Sequence, residues 1–334
     1  MTVTPLLAVG IDLGATKIAG ALVTDQGDII ATDQRLTHPA DGPAAVLDQL
    51  AAVIDGLIAQ APTSVAGVGI GSPGRVDPVS GTVRNAVNLG WQEVALVPEL
   101  QGRLAADVPI LVHKDANAEV LGELYFGAGQ GCRDLVYLGL GTGLGGGVIV
   151  NGQLLLGDNL TASEMGHLSL DPAGGRLCNC GLRGCAETVA SGRGALAVAR
   201  EMLAEGRYPT SLVEGPDLTP AAIVAAAQSG DALAKAVLAE VAGWLGQIVA
   251  IYAITLNPAR LVIGGGFGRA AFELLRPGLQ AEVARRALAL SHERLQVVPS
   301  QLASSAVGAS CIVWYHRQQA VVQPRELNSE RRPE

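Results

Sequence analysis

His167, Cys178, Cys180 and Cys185 place one imidazole and three thiols in a short stretch of a 334-residue chain that holds only five cysteines. Four N and S donors are the right number and softness for tetrahedral Zn²⁺. The C-x-C-x₄-C spacing is tighter than that of a usual zinc finger, and the flanking "GG", "CG" and "RG" pairs supply the flexibility a ligand-wrapping loop needs. A disulfide is the alternative use of the same thiols. The N-terminus has neither a basic start nor a cleavage site, so the chain reads as cytosolic, where disulfides are rare. With protein atoms in all four positions, the ion would be structural rather than catalytic. Cys132 and Cys311 lie alone and read as structural thiols.

A second group of residues suits phosphate. "DLGATK" (12–17) reads as a turn between two strands. Such a turn exposes the N–H groups of Gly14, Ala15 and Thr16, and Asp12 offers a carboxylate to a hydrated Mg²⁺ that bridges to phosphate. An ordinary hairpin would look the same. The turn recurs, however, at "GTGLGGG" (141–147), where five glycines in seven residues carry an entropic cost that close ligand approach would justify. Neither turn is a P-loop or a dinucleotide fingerprint. A third glycine turn, "GGGFG" (264–268), lies between a strand and a helix.

Three carboxylates stand near these features. Asp115, in "KDANA", closes a buried strand, and ligands of open α/β sheets bind at such carboxyl ends. It suits a helix N-cap equally well, and the pattern alone favours the cap. Glu164 lies three residues before His167, and Glu187 two after Cys185; either also reads as a solvated surface side chain.

The elements that must position these residues alternate. The opening gives strand, glycine turn, strand, tight turn, strand. A helix follows in "DGPAAVLDQLAAVIDGLIAQ", with Asp41 as its cap, Pro43 at its start, and Val46, Leu47, Leu50, Val53, Ile54, Leu57 and Ile58 on one face. "VAGVGIGS" and "PILVHKD" read as buried strands, and "ANAEVLGELYFG" as a helix. From residue 135 the strand, glycine turn, strand, tight turn, strand pattern repeats, with Gly139 aligned on Gly10 and Gly143 on Gly14. The chain therefore reads as a duplicated α/β fold of two domains with a ligand cleft between them. The expected boundaries are 1–114 for a small domain, with a helix at about 305–320 packing back on it. A large domain spans 115–304 and carries the zinc loop, and a polar tail covers 321–334.

The formal charge of −8 and the absence of a Lys/Arg run argue against a nucleic-acid surface. The most apolar run, 241–256, contains Gln247 and ends at "NP", so it reads as a buried helix rather than a membrane span.

"DLGATK", "DANA", "GTGLGGG", "EMGH", "CNCGLRGC" with "AET", and "GGGF", in this order, resemble the ROK family of repressors, open reading frames and sugar kinases. The resemblance runs from residue 6 to about 310. It implies an actin/hexokinase-like (ribonuclease H-like) fold and transfer of the ATP γ-phosphoryl to the 6-hydroxyl of a hexose, with glucose ahead of fructose, mannose and N-acetylated amino sugars. It implies Asp115 as general base, which displaces the cap reading. It implies sugar contacts from Glu164, His167 and Glu187, with Gly74, Asn88 and Lys114 on the small-domain side. It implies ATP and Mg²⁺ contacts from Asp12, Gly14, Ala15, Thr16, Lys17, Gly141, Thr142, Gly143, Gly265 and Gly266. His167 would hold zinc with one ring nitrogen and face the sugar with the other, and the zinc loop would brace the three sugar-contacting side chains. A cytoplasmic homo-oligomer, dimer or tetramer, is also implied. Regulators of the family carry a helix-turn-helix domain before the first strand; here that strand starts near residue 6, so an enzyme is expected. Two residues depart from the pattern: Lys114 stands where the sugar kinases have Asn, and Ser163 where glycine is usual.

Overall fold

The computed structural model describes residues 5–322. They form two compact units, one running to Phe126 and resuming at Leu302, the other covering Gly127–Gln301.

In the first unit, β1 (Leu7–Leu13), β2 (Lys17–Thr24) and β3 (Ile29–Leu36) make an antiparallel meander. Helix α1 (Pro43–Ile58) leads to β4 (Val65–Ser72). A small sheet follows, made of β5 (Arg75–Asp77), β6 (Thr82–Ala86) and β7 (Trp91–Val94). Then come α2 (Leu96–Gln101), β8 (Ile110–Lys114) and α3 (Asp115–Phe126). The main sheet has the order β3-β2-β1-β4-β8, with β4 parallel to both β1 and β8. Alternation along β1 sends Val9, Ile11 and Leu13 into a core shared with Val46, Leu50, Val53 and Leu57 of α1. Each such fully buried aliphatic side chain contributes about 1.5–3 kcal/mol. Asp41 does not cap α1: it lies in a 3₁₀ turn (Pro39–Asp41), Gly42 is the cap residue, and no side chain caps the helix.

The second unit repeats the plan. It contains β9 (Leu135–Leu140), β10 (Leu144–Val150) and β11 (Gln153–Leu154), then α4 (Gly192–Glu205), α5 (Pro220–Gln228) and α6 (Ala232–Thr255). β12 (Arg260–Gly264), α7 (Gly266–Arg286), α8 (Ala289–His292) and β13 (Gln296–Pro299) complete it. The sheet order β11-β10-β9-β12-β13 and its strand senses match those of the first unit, as duplication requires. Side chains cap three of its helices: Ser191 for α4, Thr219 for α5 and Asp231 for α6. Helix α6 is long and apolar enough to cross a membrane by length and composition, but Val237, Val241, Leu245, Ile248 and Val249 are fully buried in the unit's own core.

The last helix, α9 (Ser305–Val322), returns to the first unit and lies on the face of β1 and β4 opposite α1. It fits there because Gly10 and Gly69 have no side chains. A Cβ at Gly10 would stand 1.9 Å from the Ala306 carbonyl oxygen, and one at Gly69 2.0 Å from that of Ala309. Helix α3 also packs on α9, where Gly122 meets Gly308. That packing moves the boundary expected at 114 to Phe126 and takes α3 out of the second unit. The boundary expected at 304 falls between Gln301 and Leu302. α9 extends two residues into the expected tail, and 323–334 lie outside the described residues.

Candidate functional site

In the first unit the chemistry gathers at the carboxyl ends of β1 and β8. The turn after β1 is closed by Gly14 N–H donating to the Lys17 carbonyl at 2.9 Å. Gly14 therefore spends the amide expected to face a ligand, and the amides of Ala15 and Thr16 remain. Buried Thr37 holds the turn from behind: its hydroxyl donates to the Gly14 carbonyl at 2.7 Å and its amide to that of Thr16 at 3.1 Å. Thr16 and Lys17 are exposed.

Asp115 is the first residue of α3, exposed, with its carboxylate accepting from the Ala116 amide at 2.7 Å. Burial and the negative charge of Asp115 raise the Asp12 carboxyl to about 6, against a smaller pull from Lys17. Sequence reading missed a third member, Glu119, one helical turn beyond Asp115. Burial, opposed by a hydrogen bond with Ser305 and aided by Asp12, Asp115 and Glu123, raises it to about 7. Two ionised carboxylates would repel at this site, so the structure keeps part of the negative charge titratable. That is a donor set a divalent cation fits: hard oxygen atoms with uncompensated charge.

Lys114 ends β8, half-buried and paired in register with Ser72. Gly74 needs its glycine: φ is +90° and a Cβ would meet the Arg84 carbonyl oxygen at 2.7 Å. Asn88 is exposed in a 3₁₀ turn (Val87–Leu89) between β6 and β7.

In the second unit, the donor atoms of His167, Cys178, Cys180 and Cys185 lie within 4.8 Å of one another, without a disulfide. His167 Nδ1 is 3.7 Å from Cys178 Sγ, and the Cys180 and Cys185 sulfurs are 3.5 Å apart. With metal–ligand bonds of about 2.0–2.3 Å, a tetrahedral zinc spaces its donors by about that much, so the residues fit the ion. Two glycines of the loop, Gly175 and Gly184, serve close backbone approach. Gly184 has φ +68° and would drive a Cβ to 1.9 Å from the Asp171 carbonyl oxygen, and Gly175 would collide with Gly184. Arg176 anchors the loop to α4 through a two-pronged pair with Glu201.

Glu187 follows Cys185 in a 3₁₀ turn and connects several parts of this unit. Its Oε2 accepts from the Leu144 amide at 3.1 Å, Oε1 accepts from Arg193 Nη2 at 3.1 Å, and Oε1 lies 3.9 Å from Cys178 Sγ. The carboxylate crosses the second glycine turn where a Cβ on Gly143 would stand 2.3 Å from Oε2. A Cβ on Gly166 would stand 2.3 Å from the Leu144 carbonyl oxygen, so the backbone requires glycine there. Glu164 is exposed just before that turn. Ser163 sits in the left-handed region at φ +70°, where a glycine would rest without strain.

Beside the glycine turn opens a pocket of about 600 Å³, within the usual range for small-molecule sites. Gly141, Thr142 and Gly266 stand on its wall as sequence reading expected, and Gly265 turns the chain into α7 with φ +74°. The rest of the wall was missed: Arg193 and Leu196 of α4, Pro220 and Val224 of α5, and Phe267 of α7. Only an α4–α5 segment with no chemical signature of its own could have pointed to them. The lining is mostly apolar, suited to a flat heterocycle, with the α7 N-terminus and glycine amides at hand for anionic groups.

The ROK family profile matches residues 8–315. A glucokinase of Thermotoga maritima is 38% identical over 322 residues, covering 92% of this chain and 97% of its own. A xylose repressor of Caldicellulosiruptor bescii is 32% identical, covering 91% of this chain and 76% of its own. The crystal structure of a ROK family glucokinase from Streptomyces griseus in complex with glucose and AMPPNP is similar at TM-score 0.76 and 34% identity, covering 91% of this chain and 98% of that one.

Proposed function

Since this chain belongs to the ROK family and has its duplicated actin/hexokinase-like fold, we propose that it is the family's ATP-dependent hexokinase acting on glucose at the 6-hydroxyl. The observation that carries the reading is the second unit's pocket: an apolar chamber walled by two glycine turns, with the Glu187 carboxylate fixed across one of them.

In this reading the adenine and ribose occupy the pocket. Phosphate contacts fall to the amides and hydroxyls of Ala15 and Thr16 in the first unit, and in the second to those of Thr142 and Gly143 and the N-terminus of α7 at Gly265 and Gly266, with Gly14, Lys17 and Gly141 shaping or flanking their turns. Asp12 would hold a hydrated Mg²⁺, which would supply neutralisation of phosphate charge. Asp115 accepts the proton of the attacking sugar hydroxyl. Its exposure at the start of α3 leaves it reachable. Sugar contacts fall to Glu164, His167 and Glu187 in the second unit and to Gly74, Asn88 and Lys114 in the first. His167, Cys178, Cys180 and Cys185 would hold a structural zinc, which fixes the loop that carries these groups.

ADP release coupled to a hexose panel tests the reading. Glucose should give the highest kcat/KM, and Asp115→Asn should lower kcat by about 10²–10⁴-fold with little change in nucleotide or glucose Kd. Hexose binding without ADP release from the unmodified protein would instead mark a sugar-binding regulator. An Asp115→Asn variant that keeps more than about a tenth of kcat would remove Asp115 as the base.

A further inference from the structure

Arg193 touches both halves of the second unit's site. It is the second residue of α4, and its amide donates to the Thr142 carbonyl at 3.4 Å. Its side chain is half exposed and forms part of the pocket wall, while Nη2 holds Glu187 Oε1 at 3.1 Å. Glu187 is only 13% exposed, so its carboxylate depends on the partners the fold supplies. The link behind it is stiff. The Ser191 hydroxyl donates to the Glu187 carbonyl at 2.7 Å and accepts from the Gly194 amide at 3.0 Å, and the Gly192 amide donates to the Gly141 carbonyl at 2.8 Å. In this connection between pocket and carboxylate, the adjustable part is the Arg193 side chain.

We propose that Arg193 is a positioning residue that couples nucleotide occupancy of the pocket to sugar binding at Glu187. The inference rests on the nucleotide and sugar assignments made above. A planar guanidinium stacks on a flat heterocycle while its N–H groups stay engaged with a carboxylate in their own plane. The pocket wall around Arg193 is apolar, formed by Leu196, Pro220, Val224 and Phe267, so the group packed there is the base rather than a phosphate competing for the charge. Half exposed, the Arg193 side chain has room for other rotamers, in which Glu187 Oε1 loses the guanidinium. A stacked base orders Arg193 once, and the sugar then meets a Glu187 already fixed at both oxygens. A ligand that has met an ordering cost lowers it for the next, which gives positive coupling.

Isothermal titration of glucose, with and without saturating non-hydrolysable ATP analogue, reads this directly. In the unmodified protein the analogue should tighten glucose binding by about five-fold or more, the lower end of usual site coupling. In Arg193→Gln, which keeps a planar polar end group but loses the reach, the charge and the fork, that factor should fall to about one. At saturating ATP, glucose KM should rise by a larger factor than kcat falls, the split a positioning role predicts. Arg193→Lys should regain part of the glucose affinity but little of the coupling, because it restores charge without the stacking plane. Should Arg193→Gln lower the melting temperature, the lysine variant gives the same reading on an intact fold. An unchanged coupling factor in both variants, or no coupling in the unmodified protein, overturns the inference. An unmodified protein that binds neither glucose nor the analogue overturns the functional reading, and this inference with it.

Discussion

Replacing Gly143 with alanine tests whether Glu187 recognises sugar, because the structure sets the size of the disturbance. The new methyl group would lie 2.3 Å from Glu187 Oε2. That is roughly 1 Å inside ordinary van der Waals contact. The obstructing atom is the free end of a side chain, so the carboxylate yields rather than the backbone. Gly143 has no positive φ, so alanine is not strained there. The yielding oxygen is the one that accepts from the Leu144 amide at 3.1 Å, and a shift of that size breaks the bond. Arg193 then holds Glu187 alone. A hydrogen bond to a charged group is worth about 1.5–3 kcal/mol. At about 1.4 kcal/mol per ten-fold, this corresponds to a ten-fold to hundred-fold loss in glucose kcat/KM.

The assay is ADP release with glucose varied at saturating ATP, then ATP varied at saturating glucose. Glucose KM should rise by about ten-fold or more, as a lost binding contact requires, while ATP KM moves by less than about three-fold. Thermal stability should fall by only a few degrees, because a single amide, that of Leu144, loses its acceptor. Glu187→Gln should mask the effect: the double variant should be little worse than Glu187→Gln alone, because both act on one contact. A glucose KM that stays put while ATP KM climbs would refute the reasoning. Gly143 would then serve the phosphate turn, and Glu187 would be a structural tie between Leu144 and Arg193.

Active protein should carry one zinc per chain, and chelation should raise glucose KM before ATP KM; elemental analysis finding none would refute the site. Burial and His316 push His113, 2.9 Å from His316 between their Nε2 atoms, down to about 3, and burial also lowers His316. Unfolded imidazoles protonate near about 6.5, so stability should be complete above that pH and fall as pH drops toward 3. His113→Gln should flatten this arm by up to about 1.4 kcal/mol per pH unit, and chemical denaturation curves that run parallel across that range would refute it. Lys114→Asn should alter the kcat/KM ratios among glucose, mannose and fructose by a few-fold to tens-fold, part of the about 1.5–3 kcal/mol of a hydrogen bond to a charged donor, since asparagine still donates. Unchanged ratios would show that Lys114 takes no part in recognition.

Groups whose chemistry is written in local spacing could be read from the sequence, and groups made by packing could not. His167, Cys178, Cys180 and Cys185 converge as their types and intervals imply, because a short loop has few ways to bring four soft donors together. The duplicated sheets were legible because a strand, glycine turn, strand pattern occurs twice with the same glycine offsets. The glycines themselves carried less meaning than their surroundings give them. Gly10 lies under α9, which starts about 300 residues later in sequence, and no local pattern announces that contact. The same long-range packing takes α3 into the first unit and places Glu119 beside Asp12 and Asp115. Asp41 illustrates the opposite error: a good capping residue just before a helical pattern was preempted by a 3₁₀ turn that uses Gly42 to enter α1. The pocket wall shows the deepest limit. Leu196, Val224 and Phe267 are ordinary apolar residues of three helices, and they become a pocket wall only where those helices stop short of filling the space beside Gly141 and Gly266. Arg193 belongs to the same class. Its type marks it as a surface cation, and its consequence comes from standing between that space and a carboxylate that the second glycine turn leaves room for.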